Sequence, residues 1–442
     1  MLNQSQENYL QLQGNLTERL GLSDAPVPLE PYHSEDFFQL EKKQIFERAW
    51  LLVCREEELP NPGSFIVKRI FPTDVSALIT RSSAGKIQAF YNTCSHRGAQ
   101  LEVQQSGQKG RFTCIYHRWT YQNDGKLIGV PDEANFFNLE KEKCGLTKIN
   151  TQVWNGWVFL NLAENPEVTL EEYLGDFKSY FEGVEYIGAD NPVVFEMDLD
   201  VNWKVLADAF IESYHIFAIH PETLTPSLTS KSNPYGRLLD AQAFGPHRGV
   251  SVYGNPENSA SAKSPVELLA NKLLGDGRQA SMWGQHKAGK GESSDDAQDS
   301  QHLHGVSLLQ KYLSHPAINP TNSDCWGQDI YHLFPHVQID TGPNGFWCHK
   351  FWPMERNKTR YEGRFYMTKA QNFSERFMQE MYIARLAPLI AEDIASMRRT
   401  QIGIESGGKK FMILQDSEVA IRHHIEVCTR WVKSKTVKEA LA

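Results

Sequence analysis

The sequence predicts an α+β protein made of two unlike parts, a small antiparallel β domain and a larger domain with an antiparallel sheet flanked by helices. Three observations carry that reading. Short β-branched and aromatic runs crowd residues 60–165, mixed strand-like and helical periodicities follow residue 170, and two long helical patterns close the chain.

Residues 1–45 read as an N-terminal helical segment that lies on the larger domain. In SEDFFQLEKKQIFERAW, Ser34 stands at a cap position, Glu35 and Asp36 fill the first turn, and apolar residues recur at helical spacing. Residues 46–165 then carry SFIVKRIF, VSALIT, KIQAFYN, RFTCIYH and WNGWVFLNL. These runs are separated by Asn61-Pro62-Gly63, Ser83-Ala84-Gly85 and Asn123-Asp124-Gly125, the turn chemistry of an antiparallel domain.

Residues 166–442 form the larger domain. VVFEMDLD reads as a strand and NWKVLADAFIESYHIFAIH as one helix stopped by Pro221. Residues 222–325 have weak periodicity and include GQHKAGKGESSDDAQDSQ, so an insertion with a few short helices is expected there. Strand-like runs return at DIYHLFPHVQID, GFWCHKFW and RFYMTK, and helices are expected near 374–404 and 417–434.

Composition narrows the function. The 442 residues are 40% hydrophobic and 22% charged, and 45 Lys plus Arg against 54 Asp plus Glu give a net charge of −9. That balance, with no basic run, points away from nucleic acid and from anionic lipid. The polar start MLNQSQENYLQLQGNL lacks the basic and apolar regions of a secretory signal, and no run is long and apolar enough to span a membrane. Seven irregularly spaced cysteines fit a reducing cytoplasm, the expected location.

The strongest chemical signal is Cys94-Ser-His96, then 17 residues, then Cys114-Ile-Tyr-His117. Each half offers one thiolate and one imidazole from a tight turn between strands. A [2Fe–2S] centre with two Cys on one iron and two His on the other needs that inventory. The competing reading is a Cys₂His₂ zinc site, which usually segregates its ligand types and carries its histidines on a helix.

A second set begins at Glu212-Ser-Tyr-His215-Ile-Phe-Ala-Ile-His220. Two His and one carboxylate on one face of a metal leave the opposite face open, as a non-haem Fe(II) oxygenase requires. On a regular helix the two histidines would lie about 140° apart. The helix must therefore loosen or end near His220, where Pro221 follows. Glu212, one turn before His215, is placed to hold that ring's free nitrogen. Within EDIASMRRTQIG, Asp393 shares an apolar stripe with Leu386, Leu389, Ile390 and Met397, whereas Glu392 falls beside Arg385 and Arg399, on the side expected to meet solvent. A carboxylate on a buried stripe needs a partner or a cation, so Asp393 is the expected third ligand. His302, His304, His423 and His424 read as surface or core residues.

CSHRGAQL, CIYHRWTYQNDGKLIGVP, NWK with E-x-Y-H-x₄-H, and the late E-D-x₇-Q-x-G together resemble the α subunits of aromatic-ring-hydroxylating Rieske non-haem iron oxygenases. The resemblance runs from about residue 35 to 410. Ile115 and Arg118 depart from it, where Pro and Gly are frequent. It implies a Rieske domain joined to a helix-grip-like catalytic domain, with the cluster on Cys94, His96, Cys114 and His117 and a mononuclear Fe(II) on His215, His220 and Asp393. It also implies that Glu212 bridges His215 to His117 of a neighbouring subunit, in a homotrimer or an α₃β₃ assembly. NAD(P)H-derived electrons would come through a separate reductase, with or without a ferredoxin. O₂ and a hydrophobic ring compound would be the substrates, with a methylated acid or quaternary amine as the alternative. A pure Rieske electron carrier is the reading of another class, and the roughly 270 residues beyond the first domain and the second His/His/Asp set argue against it.

Overall fold

The computed structural model describes residues 15–186, 188, 192–256, 278–279, 286–287, 311–342, 345–367, 370 and 373–442. The chain divides into two compact units. One takes Gln39–Tyr173 with Trp431–Ala442, the other Leu174–Arg430 with the N-terminal stretch to Phe38.

The smaller unit is built on a seven-stranded antiparallel sheet. Its strand order is Leu51–Arg55, Trp157–Asn161, Lys148–Trp154, Ile87–Tyr91, Val75–Arg81, Ser64–Ile70 and Ser106–Gln108. A separate three-stranded sheet of Arg111–Thr113, Thr120–Gln122 and Leu127–Gly129 is inserted in sequence between its strands Ser106–Gln108 and Lys148–Trp154. Phe65, Leu78, Phe90, Phe112, Trp119 and Tyr121 share one buried cluster with Cys94 and Cys114, so both thiols sit in an apolar setting. The final helix, Val437–Leu441, belongs to this unit, with Val437 N–H donating to Glu167 Oε2 at 2.8 Å.

The larger unit has a second seven-stranded antiparallel sheet. Its order is Pro192–Leu199, Lys358–Tyr366, Gly345–Glu355, Val337–Gly342, Trp326–Leu333, His247–Tyr253 and Asp240–Phe244. The 33-residue helix Phe373–Glu405 buries Leu386, Ile390, Met397 and Ile404 in a core shared with Phe351, Tyr361 and Phe365 of the sheet and with Val205 and Leu206 of the helix Trp203–Ala209. The N-terminal stretch is tied to this unit by Val27–Pro28 pairing with Phe411–Met412, and Ser34 Oγ accepts from Phe37 N–H as the cap reading requires.

The structure corrects two expectations. The helix over 202–220 is in fact two pieces, Trp203–Ala209 and Ile216–Ile219, interrupted at 210–215. The segment expected as an insertion supplies Asp240–Phe244 and His247–Tyr253, two strands of the main sheet. All seven residues of His247–Tyr253 are buried, so the alternation that reveals a half-exposed strand is missing. The polar stretch GQHKAGKGESSDDAQDSQ falls mostly outside the described residues.

Burial in this sheet has an electrostatic consequence. Asp329 accepts from Ser251 Oγ at 2.6 Å and Asn319 N–H at 2.9 Å, yet burial, the largest influence, lifts its carboxyl to about 7. A carboxyl raised above its unfolded value favours the fold in its protonated form. Its contribution is therefore complete below about pH 4 and is lost as pH rises through about 7. Asp329→Asn should gain stability relative to the parent chain on going from about pH 5 to about pH 8. Urea midpoints at the two pH values test this, and an unchanged difference would refute it.

Candidate metal centres

In the smaller unit, two short loops present the first set. Cys94 N–H donates to Ala99 C=O and Gly98 N–H to Cys94 C=O, and Cys114 and Arg118 repeat the pattern with Trp119 C=O and Cys114 C=O. Each loop thus folds back on its own cysteine. The rings of His96 and His117 lie 4.6 Å apart, centroid to centroid, and Trp119 stacks on His96 at 4.9 Å. Tyr121 Oη is 3.3 Å from Cys94 Sγ and accepts from Ser95 N–H. Burial holds the Tyr121 hydroxyl well above its ordinary range, so it stays protonated and is able to donate to the sulfur. Gly98 has φ 76°, and Arg118 occupies the same left-handed region at φ 62°. The second loop therefore needs a positive φ after His117, which explains why Gly is frequent there; Arg118 meets the requirement at some strain.

Among the described residues, one group of three or more His, Cys, Asp and Glu ligands converges within 4.8 Å, and it does not include the cysteines. A tetrahedral zinc site draws all four donors to one ion. A two-iron cluster holds them as two separate pairs, which is the arrangement these loops fit.

The converging group is His215, His220 and Asp393. His215 follows the break between the two helical pieces, and Glu212 makes that break. Its Oε2 accepts the backbone N–H groups of Tyr214 and His215, which an uninterrupted helix would have bonded internally. Its Oε1 meets His215 Nδ1, leaving Nε2 directed at Asp393 Oδ1, 3.6 Å away. His220 closes the next helical piece with φ −117° and ψ 50°, so its ring turns back towards His215, with centroids 5.3 Å apart. His220 Nε2 lies 2.9 Å from Asp393 Oδ1.

Glu392, expected on the side that meets solvent, keeps 33% of its side chain exposed yet also reaches the site. It is half-buried, with Oε2 2.7 Å from His220 Nδ1 and accepting from Thr223 Oγ1 at 2.8 Å. Both histidines therefore have a carboxylate on Nδ1 and turn Nε2 towards Asp393. Burial opposes charge on each ring, yet Glu212 and then Asp393 carry His215 above the ordinary range, and Asp393 and then Glu392 do the same for His220. Three carboxylates around two imidazoles is an arrangement that a divalent cation would relieve.

His424 was read as a core or surface residue without a carboxylate partner. It is fully buried, and its Nδ1 is 2.6 Å from Asp208 Oδ1, a partner 216 positions away that spacing could not reveal. His302 and His304 lie outside the described residues.

Comparison with known proteins agrees with this arrangement. A family model described as the ring hydroxylating alpha subunit (catalytic domain) matches residues 193–434, more than half the chain, and one described as the Rieske [2Fe-2S] domain matches 49–149. The chain is 31% identical over 198 residues to the glycine betaine monooxygenase oxygenase subunit of Pseudomonas aeruginosa, covering 45% of each protein. It is 32% identical over 218 residues to the chlorobenzene dioxygenase subunit alpha of a Cupriavidus species, covering 47% of this chain and 46% of that one. The chain thus spans about half the length of the curated relatives it matches. Its fold is like that of naphthalene 1,2-dioxygenase from a Rhodococcus species bound to indole, with a TM-score of 0.72 at 20% identity over 97% of this chain and 99% of that one. A quaternary ammonium Rieske monooxygenase in complex with L-carnitine gives 0.64 at 19% identity, over 91% and 95%.

Proposed function

Because the chain belongs to the ring hydroxylating alpha subunit family, we propose that it is a terminal oxygenase component that uses O₂ and supplied electrons to hydroxylate a hydrophobic ring compound. The observation that carries this is the convergence of His215, His220 and Asp393 in a chain that also holds paired Cys-His loops. His215, His220 and Asp393 would hold a mononuclear Fe(II), and the Cys-His loops a [2Fe–2S] cluster. Bound there, they would supply O₂ activation and one-electron transfer respectively.

The chain's own residues set the geometry. Glu212 and Glu392 fix both imidazoles in the tautomer that offers Nε2 to a metal. Asp393, on the buried stripe of the long helix, would be the third ligand beside them, and a metal held by these three would keep positions for O₂ and substrate. At the cluster loops, Tyr121 Oη lies 3.3 Å from Cys94 Sγ, where its O–H would donate to a cluster-bound thiolate, withdraw charge from it and favour the reduced state. Glu212 is the acid through which the two centres of adjoining subunits would be joined, so a ring of copies, most often a trimer, belongs to this reading. So does an external reductase, with or without a ferredoxin.

Turnover under ¹⁸O₂ with a surrogate reductase and a panel of ring compounds tests it. The expected holoprotein is red-brown, contains about three iron atoms per chain, and places labelled oxygen in product. Two labelled atoms identify a ring dihydroxylating dioxygenase. One identifies a monooxygenase or demethylase and moves the search to methylated acids and quaternary amines. About two iron atoms per chain with no labelled product would leave an electron carrier, and a colourless zinc protein would overturn the reading altogether.

A further inference from the structure

The sheet face that packs against the metal-bearing helices carries a buried carboxylate whose hydrogen-bond donors are neutral and whose ion-pair contact among the described residues is a histidine at 3.6 Å. Register places Asp340 opposite Trp347, Gln338 opposite His349, and His349 opposite Gly363, so these side chains share a face. Tyr361 and Phe365 of that face lie in the same core as Ile390 and Met397, which flank Asp393 on the long helix. The face also meets the segment leading to Glu212. The Phe210 ring lies 5.0 Å from that of His349, and Phe210 C=O accepts from Gln338 Nε2 at 2.9 Å.

Asp340 is 4% exposed. Its Oδ2 accepts from Trp347 Nε1 at 2.7 Å and its Oδ1 from Gln338 Nε2 at 2.9 Å, both neutral donors. Its one ion-pair contact among the described residues is His349 Nε2, at 3.6 Å. On its other side the His349 ring is held by the buried Tyr361 hydroxyl, 2.7 Å from Nδ1. Gly363 makes the contact feasible, because a Cβ there would stand 2.5 Å from Tyr361 Oη. Beside Asp340, Gln338 Oε1 is buried and has no hydrogen-bond partner. A buried carboxylate and an orphaned amide oxygen, set among Trp347, Phe210 and Phe365, call for a group that is both cationic and an N–H donor.

We propose that Asp340 and Gln338 form a substrate-recognition site for a protonated amine, so that the ring compound taken by this oxygenase carries a basic nitrogen. Trp347 and the Tyr361–His349 pair are positioning residues that hold the carboxylate in place. The assignment rests on the oxygenase reading above and narrows its substrate class. A quaternary ammonium has the charge but no N–H, and would leave Gln338 Oε1 unsatisfied.

The test is calorimetric binding of benzylamine, its neutral isostere ethylbenzene and benzyltrimethylammonium to the iron-loaded protein, followed by turnover under ¹⁸O₂. Benzylamine should bind at least about tenfold more tightly than ethylbenzene, and benzyltrimethylammonium should fall between them. In Asp340→Asn, which keeps the shape and removes the charge, the benzylamine preference should shrink by about tenfold or more, while iron content stays unchanged and Asp340→Glu recovers part of it. Equal or weaker binding of benzylamine by the parent protein overturns the proposal without any variant. So does an undiminished preference in Asp340→Asn. A retained benzylamine preference with no labelled product from any ring compound would instead count against the oxygenase reading, and with it the substrate role of the site.

Discussion

Glu212→Gln is expected to retain both metal centres and to lose NAD(P)H-coupled turnover by about 100-fold or more. Glu212 performs two tasks with two oxygens, Oε1 on His215 Nδ1 and Oε2 on the backbone N–H groups of Tyr214 and His215. An amide can satisfy only one of them. With its oxygen on the backbone, its NH₂ meets the Nδ1–H donor; with its oxygen on Nδ1, the helix break loses its acceptor. Either way the negative charge that favours a charged His215 is gone. The three metal-facing donors remain, so iron should stay. What fails is the link that the family resemblance implies between His215 and the cluster of the neighbouring subunit. Iron analysis, the cluster's visible spectrum and a single turnover from pre-reduced protein separate these parts. Full activity in the variant would end the bridging role.

The parts of these centres that were legible in the sequence are those where residue type alone limits the chemistry. Cys94, His96, Cys114 and His117 stand in two short loops whose ligand types admit few clusters, and the structure folds each loop back on its cysteine. Asp393 was legible because a carboxylate on an apolar stripe is costly without a partner. Glu392 was hidden for a geometric reason. A helical wheel sets consecutive residues about 100° apart and so gives them different environments. An imidazole, however, has nitrogens on two sides of its ring, and His220 reaches Asp393 with one and Glu392 with the other. The break at 210–215 was hidden because it depends on a side chain competing for backbone donors, which apolar periodicity does not register. The strand His247–Tyr253 was missed because its long-range pairing with Trp326–Leu333 crosses some 70 intervening residues, and burial on both faces erased its alternation; Asp240–Phe244 is the edge strand that pairs with it.

Asp393→Ala should lower total iron from about three to about two atoms per chain while the cluster's absorbance persists. Asp393 Oδ1 stands 2.9 Å from His220 Nε2 and 3.6 Å from His215 Nε2, so its removal takes the one donor that both imidazoles face. Two neutral imidazoles alone hold Fe(II) weakly, because carboxylate oxygen supplies the charge that a hard divalent ion prefers. Glu392→Gln offers the contrast. On His220 it meets the nitrogen that faces away from the metal site, so iron affinity should weaken by about tenfold rather than vanish. Protons compete for the same site. In the metal-free chain both histidines are held above their ordinary range despite burial. Iron uptake by the parent protein should therefore weaken as pH falls through that raised range, since binding must displace those protons. In Asp393→Ala, His220 loses its main carboxylate and His215 its second, so the residual uptake should depend less on pH. Iron content unchanged at the second site, in a variant with an intact cluster spectrum, would remove Asp393 from the ligand set and leave Glu392 as the carboxylate to examine.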